Sequence, residues 1–529
     1  MDRRHVLIAW SALLVVYALG ARVPVMDVDA AQYASMSAQM LRDGHWLQVF
    51  DREVSYLDKP PLLFWLSALS LKVFGLQPWA YKLPSILFAL AGCWGIFKFT
   101  HLHHDARTAH TAALMYGSSV AMLQMTNDVR CDTLLASNVI LGIWSGMAWL
   151  KERRILYLLC SSFFLGLAML AKGPIGLAVP ALAIGGHVAV TGHWRALFSA
   201  RVLLVPVIIA LLLTPMCVGL YSQHGTHGLS FYFWEQSFGR ITGTNRWKDD
   251  STGLFFLHTF LWVAMPWTLF TVKGLFTDLI GLLRRKRRLP EYASLCGVIL
   301  TVIALSFSHY KLPHYLFVVM PLAAVIAARA LCAAHARVLA LLQFCIAMLL
   351  GSAALWLAFV SLPVAVPIPA FVLIVSMLLA LLVYMRNRDL SRALWPTQIV
   401  ALGAALVING QAYPALLKYQ AGSEVGNMVR HMRIPDADLM NLATLSRALD
   451  FHAGRSVPWL RDINEAKAAM RPGLYIYCDG AGRDALWRSG YTPTSEWAFP
   501  AYPVQVMTME FLLPEQRASV VKTNYLLRF

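Results

Sequence analysis

Residues 3–41 read RRHVLIAWSALLVVYALGARVPVMDVDAAQYASMSAQML. Two basic residues, Arg3 and Arg4, stand before an apolar run that goes from Val6 to Leu19 and on to Val25. A run of about 18 or more apolar residues is long enough to span a bilayer. A cleaved leader would end in a small-residue cleavage site and would stand alone. Neither holds here, so an uncleaved first span is expected. The polar stretch behind it has a different rhythm. Tyr33, Met36, Ser37, Met40 and Leu41 recur at i, i+3, i+4 spacing, which predicts a short amphipathic helix with one face suited to the membrane interface. Asp27 or Asp29 is placed to cap its start and Gly44 to end it.

The same alternation governs the chain out to about residue 414. Of its 529 residues, 58% are hydrophobic and 14% charged, against about 25% charged in a soluble domain. Mean hydropathy is +0.57. Apolar runs at 6–25, 82–100, 109–127, 132–150, 155–171, 174–190, 202–220, 255–272, 291–307, 315–330, 337–360, 369–385 and 396–413 give an expectation of about 13 transmembrane helices. The net charge of +17 points to the membrane and not to nucleic acid, because the basic clusters fall between alternate spans. Arg3-Arg4, Lys98 to Arg107, Lys151 to Arg154, Arg195 to Arg201, Arg284 to Arg288, Arg329 to Arg337 and Arg386 to Arg392 then mark the cytoplasmic side. The eight cysteines form no CxxC pair, so neither a disulfide framework nor a zinc knuckle is indicated.

From about residue 415 the composition changes. Val425, Met428, Val429 and Met432 carry helical spacing, while Leu474 to Tyr477 and Val504 to Met507 read as strands punctuated by Pro435, Pro458, Pro472 and Pro503. The expected organisation is a transmembrane catalytic domain, 1–414, with a juxtamembrane loop at 26–81, followed by a small extracytoplasmic α/β domain, 415–529.

Polar residues gather in the segments assigned to the extracytoplasmic side. Asp27 and Asp29 begin the amphipathic helix, where a helix N-terminus favours the ionised carboxylate; plain capping accounts for them equally well. Lys59 precedes Pro60 and Pro61, which fix an extended approach to the apolar run behind. It reads either as a snorkelling lysine or as a phosphate ligand. His224, His227, His309, His314 and Asp58 leave a divalent metal open, although no zinc-type spacing is present.

These segments resemble a family. Asp29, Tyr33-Ala34, Met40-Leu41, Gly44-His45-Trp46 and Lys59-Pro60-Pro61-Leu62 follow the pattern of the dolichyl-phosphate-mannose protein mannosyltransferase superfamily, in particular the bacterial branch of the lipid A aminoarabinose transferases. The similarity continues at Arg130 to Leu135, Ala171-Lys172-Gly173-Pro174, Phe231 to Arg240, Ser308 to Tyr315 and Leu449 to Arg455. The chain departs from that branch at Ala30 and Gln32, where Glu and Arg are usual, and at Asp58, where Glu is usual.

The resemblance implies a polytopic C-type glycosyltransferase fold, and an inverting transfer from an undecaprenyl-phosphate-linked sugar to an extracytoplasmic acceptor. That acceptor is lipid A or another cell-envelope glycan or lipid. A protein acceptor, or a transporter or flippase for a lipid-linked intermediate, are the rival readings. Asp29 is the implied base. Lys59, Lys172, Arg240 and Lys311 are the implied phosphate ligands, with Asp132, Asp58, Tyr33 and Tyr315 as further site candidates.

Overall fold

A computed structural model describes residues 3–236, 239, 242, 251–284, 288–334, 336–387 and 391–529. Among them nine helices are long and apolar enough to cross a membrane, from Arg3–Arg22 and Pro78–His103 to Ile368–Arg386 and Arg392–Tyr419. The remaining expected spans are shorter or broken helices. The run at 109–127 is two helices, Ala106–Gly117 and Val120–Asn127. Ser119 stops the first and caps the second by accepting from the Met122 N–H at 3.3 Å, which satisfies a backbone donor that the break would orphan. The run at 255–272 likewise divides into Phe255–Val263 and Thr268–Leu283, on either side of Pro266.

Position in the bundle follows composition. Cys131–Glu152 carries Ser137, Asn138, Gly142, Ser145 and Gly146 and is buried along nearly its whole length. Small residues let neighbouring backbones come close, as at Gly142, against which Leu165 of Ile155–Lys172 packs. The outer helices instead present large apolar side chains outward, among them Leu211, Leu349, Val375 and Leu378. In water such a surface would aggregate; against acyl chains it is at ease.

The tail forms a five-stranded sheet in the order Trp459–Leu460, Leu439–Leu442, Tyr475–Asp479, Lys522–Arg528, Ser495–Ala501. The first two neighbouring pairs run parallel and the last two antiparallel. Ala421–His431, with Val425 and Val429 facing inward, packs on it, close to the amphipathic helix expected there. Val504 to Met507 is not a strand. Pro503 can donate nothing to a ladder, and the Tyr502 hydroxyl, donating to the Val506 carbonyl at 2.7 Å, folds the segment into a turn. The strand lies earlier, at Ser495–Ala501.

The amphipathic helix exists as Asp29–Asp43 and ends at Gly44, whose φ of 75° is the left-handed conformation glycine accepts without strain. Its surroundings differ from the expectation. Ala30, Ala31, Tyr33, Ala34, Met36 and Met40 are all buried, because protein covers the helix on more than one side and the membrane interface does not. Neither aspartate caps it: Val28 is the N-cap residue and makes no side-chain cap bond.

Candidate functional site

One end of the bundle holds a cavity of about 620 Å³, into which five separate segments deliver charged or tyrosine side chains, with Gln124 and Gln505 added from two others. The helix Asp29–Asp43 supplies Asp29, Gln32 and Tyr33; the segment before Leu62–Phe74 supplies Tyr56, Asp58 and Lys59; the start of Cys131–Glu152 supplies Arg130 and Asp132; the end of Ile155–Lys172 supplies Lys172; the segment before Met320–Cys332 supplies His314 and Tyr315. Asp29, Lys59, Lys172, Asp132, Asp58, Tyr33 and Tyr315, scattered over nearly 300 positions of sequence, thus share one space. Lys311 does not line it; its ammonium donates to the Ser251 carbonyl at 3.2 Å. Arg240 lies outside the described residues.

The charges lining the cavity are ordered in pairs. Arg130 Nη1 donates to Asp29 Oδ2 at 2.5 Å, and Arg130 Nε to Asp128 Oδ2 at 2.7 Å. Lys172 Nζ stands 2.6 Å from Asp132 Oδ1 and 4.7 Å from the centre of the Tyr315 ring, a cation–π distance. Lys59 Nζ is 2.7 Å from Asp58 Oδ2. Three carboxylates and three cations line the wall, so its formal charge balances. Asp29 is the most exposed of the six, with 39% of its side-chain surface open. It sits in the first turn of its helix, where the dipole favours a carboxylate. Burial pushes the Asp128 carboxyl up, against the lowering effect of Arg130, and Arg130 bridges the two carboxyl groups.

A second cavity, about 150 Å³, adjoins the first. Lys59, Asp132, Lys172 and Tyr315 line both. Beyond them its wall is mostly apolar, with Leu135, Ile175, Val179, Leu182, Ala304 and Leu305 outnumbering the polar Gln236, Thr301 and Ser308. A charged chamber thus opens into an apolar slot between membrane helices, with two ammonium groups at the junction.

The piece that carries Lys59 is held from outside the bundle. The hairpin Phe50–Asp51 and Val54–Ser55 turns through Arg52, whose guanidinium grips Asp450 of the tail at 2.9, 2.8 and 2.6 Å and the Val457 carbonyl at 2.9 Å. Asp51 pairs with Arg447 at 2.6 Å. Bidentate, buried guanidinium–carboxylate contacts fix geometry as well as charge. The sequence drew attention to 449–455 only by resemblance; the reason those residues matter to the cavity is this clamp. Arg130 was visible as part of a charged triplet with Asp128 and Asp132, but the spacing alone could not tell which carboxylate it would meet. Among the described residues no group of three or more His, Cys, Asp or Glu is arranged to hold a metal ion.

Residues 58–218 match the family model described as dolichyl-phosphate-mannose-protein mannosyltransferase. The chain is 26% identical over 337 residues to the undecaprenyl phosphate-alpha-4-amino-4-deoxy-L-arabinose arabinosyl transferase of Pseudomonas paraeruginosa, the match covering 61% of this chain and 59% of that one. The undecaprenyl phosphate-alpha-4-amino-4-deoxy-L-arabinose arabinosyl transferase 2 of Proteus mirabilis is 24% identical over 310 residues, covering 56% and 54%. The aligned stretch therefore spans somewhat more than half the length of these relatives. In three dimensions the whole chain superimposes on ArnT from Cupriavidus metallidurans bound to undecaprenyl phosphate, with a TM-score of 0.76 over 99% of this chain and 98% of that one at 18% identity. The apo form of that protein gives 0.74. The fold is the C-type membrane glycosyltransferase fold, and the sequence resemblance to the aminoarabinose-transferase branch is borne out.

Proposed function

We propose that this chain is an inverting glycosyltransferase that moves a sugar from undecaprenyl phosphate to an extracytoplasmic acceptor, lipid A or another cell-envelope glycan or lipid. The observation that carries the reading is the junction of the two cavities, where Lys59 and Lys172 stand between an apolar slot and a charged chamber. A polyprenyl phosphate has that polarity: apolar chain in the slot, phosphate at the ammonium groups, sugar in the chamber with Asp29. The neighbours in sequence and structure support the donor class through their names.

The chemistry follows from the pairs. An arriving phosphate exchanges with Asp58 and Asp132 as partner of the two lysines, so the cations are neutralised before and after binding. Arg240 and Lys311 remain proposed as further phosphate ligands. The acceptor hydroxyl attacks the anomeric carbon as Asp29 takes its proton. The bond from that carbon to the phosphate oxygen breaks, and its electron pair leaves with undecaprenyl phosphate. Charge on the leaving oxygen is met by groups fixed beforehand, the form of stabilisation that carries most in a low-dielectric site. Arg130, 2.5 Å from Asp29, holds its carboxyl oriented. One displacement inverts the anomeric centre. The alternation of basic loops supports a reading in which the enzyme lies in the bacterial inner membrane with the cavity and the tail domain, 415–529, on the periplasmic side; a periplasm-dependent reporter fused after Phe529 is expected to be active.

Lys59→Met and Lys172→Met test the donor assignment. Each keeps most of the apolar stem and removes the ammonium. With purified protein in nanodiscs and limiting undecaprenyl-phosphate sugar, each is expected to lower turnover at least tenfold while the melting temperature stays close to wild type. Unchanged turnover in both returns the lysines to anchoring the span ends.

A further inference from the structure

A third cavity, about 310 Å³, lies on the far side of Asp29 from the lysines, between the start of the helix Asp29–Asp43 and the tail. It shares Gln32 and Gln505 with the 620 Å³ chamber. The three spaces therefore run in a series: apolar slot, charged chamber, then this cavity. Lys59 and Lys172 mark the first junction and Gln32 the second. Asp29 stands one helical turn before Gln32 on the same helix, so both face the chamber.

In a direct displacement the acceptor approaches the anomeric carbon from the side opposite the leaving phosphate. The phosphate belongs at the first junction, which leaves the second as the approach of the acceptor. From this placement, and resting on the reaction proposed above, we infer that the cavity between Asp27, Gln32 and the tail is the acceptor subsite, and that it takes an uncharged hydroxyl-bearing group such as a sugar ring.

The lining specifies that chemistry. Gln32, Gln420 and Gln505 offer amides, and Asp27 a carboxyl. Among the described residues Arg447 is the only lysine or arginine on the wall; its Nη2 is held by Asp51 at 2.6 Å, while its Nη1 stands 3.9 Å from Asp450 and has no hydrogen-bond partner. Gln32 itself donates to Asp51 at 2.9 Å. It stands where the resembling transferases carry arginine, and among the described residues the two that the cavities share, Gln32 and Gln505, are both uncharged. Asp27 offsets the one cation of the lining, so the wall carries no excess positive charge for an anionic headgroup; hydroxyls would meet amides that both donate and accept, with the Arg447 Nη1 as a further donor. Asp27 accepts from the Ala448 N–H through Oδ1 at 3.3 Å, and among the described residues no hydrogen bond is made to its Oδ2. Burial lifts its carboxyl to about 7, which lets it donate or accept near neutrality. The volume is at the low end of the ~300–1,000 Å³ usual for small-ligand sites, enough for one ring. A hydroxyl acceptor also gives Asp29 its purpose, since a hydroxyl must lose a proton on attack. The new bond joins that oxygen to the anomeric carbon, the carbon–phosphate-oxygen bond breaks, and the proton ends on Asp29.

Saturation-transfer NMR tests this on the full chain in nanodiscs loaded with undecaprenyl phosphate, with methyl glucoside, methyl galactoside and methyl phosphate as probes. Wild type is expected to give signal from at least one glycoside and none from methyl phosphate. Gln505→Trp, at an exposed position, fills the cavity mouth without touching the core and is expected to remove the glycoside signal. Gln32→Arg is expected to bring in methyl phosphate. Lys59→Met is expected to lose undecaprenyl phosphate and keep the glycoside signal, so failure of the donor assignment shows up separately. No signal from either glycoside, equal signal in Gln505→Trp, or methyl phosphate competing in wild type overturns the inference.

Discussion

Two clusters of buried charge, one beside each end of the helical segment Pro313–Cys332, are built differently. At one end Arg130, Lys172 and Lys59 face Asp29, Asp132 and Asp58 around a cavity of about 620 Å³. At the other, Arg329 is clamped between Asp278 and Glu291, at 2.9 Å from Glu291 Oε1, with side chains 7%, 3% and 0% exposed. No cavity described above borders it. Tyr315 and Arg329 are joined by one continuous helical segment, Pro313–Cys332, so the two clusters are on the order of 20 Å apart. Charges inside a membrane bundle are expensive wherever they lie. The closed cluster answers that cost by pairing each charge with its opposite: Arg329 Nη1 and Nη2 meet Glu291 and Asp278, and Glu291 also accepts from the Ser294 N–H at 2.8 Å, which leaves Arg329 Nε without a hydrogen bond among the described residues. The open cluster leaves its carboxylates and ammonium groups a face toward empty space. Buried charge alone therefore does not identify a site. Charge whose pairing a substrate can exchange does.

The sharpest way to break this contrast is Asp29→Asn. Asparagine keeps the shape and the hydrogen bond from Arg130 but cannot take a proton at neutral pH, so the rate is expected to fall about a hundredfold or more, with little change in melting temperature. Asp27→Asn, on the other side of Gln32 and off the chamber lining, is expected to cost much less in rate. If the two variants are equal, the base lies elsewhere and Asp132 is next to test.

Arg329→Met should do the reverse. Removing one partner of a buried pair strands Asp278 and Glu291 without their cation, at a cost of about 3–5 kcal/mol. The expected outcome is a large fall in melting temperature and yield, with turnover per folded molecule near wild type. Normal stability combined with lost turnover would assign the closed cluster a role in the reaction.

The smallest expected effect is on pH. The Asp27 carboxyl is lifted from 3.8 to about 7, first by burial and then by Asp450, while the Ala448 N–H and Arg447 pull it down. A carboxyl raised on folding is stabilising below its unfolded value and loses that contribution as pH rises through the folded one. The contribution is present in full below about pH 3.8, declines above it and is gone above about pH 7. The gap in melting temperature between wild type and Asp27→Asn is therefore expected to move in favour of the variant as pH is raised from 5 to 8. A gap that stays constant would contradict the burial of that carboxyl.

Much of this was legible in the chain itself, for reasons that differ by region. Membrane spans are written as apolar length, so Arg3–Arg22 and Ile155–Lys172 could be read with nearly correct ends. Breaks at Ser118-Ser119 and near Pro266 could not, because an apolar stretch reads the same whether its helix is continuous or interrupted. The cavity residues were named because charge at a span end is conspicuous against an apolar background. Their pairing was not readable: Asp29 and Arg130 lie 101 positions apart, and only the packed bundle decides that Arg130 bridges Asp29 and Asp128. The helix Asp29–Asp43 shows the same limit. Its 3.6-residue rhythm gave the helix, but the cover supplied by the tail comes from residues some 400 positions away, such as Ser456, which accepts from Arg42 across 414 positions. The segment 504–507 failed for a local reason, since its β-rich composition was overridden by Pro503 and the Tyr502 hydroxyl.

The central claim is that the open cluster transfers a sugar from a polyprenyl phosphate, and lipid analysis of cells reaches it most directly. Extracts from deletion cells, and from the same cells carrying wild type or Asp29→Asn, would be compared by mass spectrometry. Loss of an envelope glycoform together with accumulation of an undecaprenyl-phosphate sugar in the deletion and Asp29→Asn cells, both reversed by wild type, is the predicted result. Identical glycoforms and no accumulated lipid-linked sugar in the three strains would contradict the account.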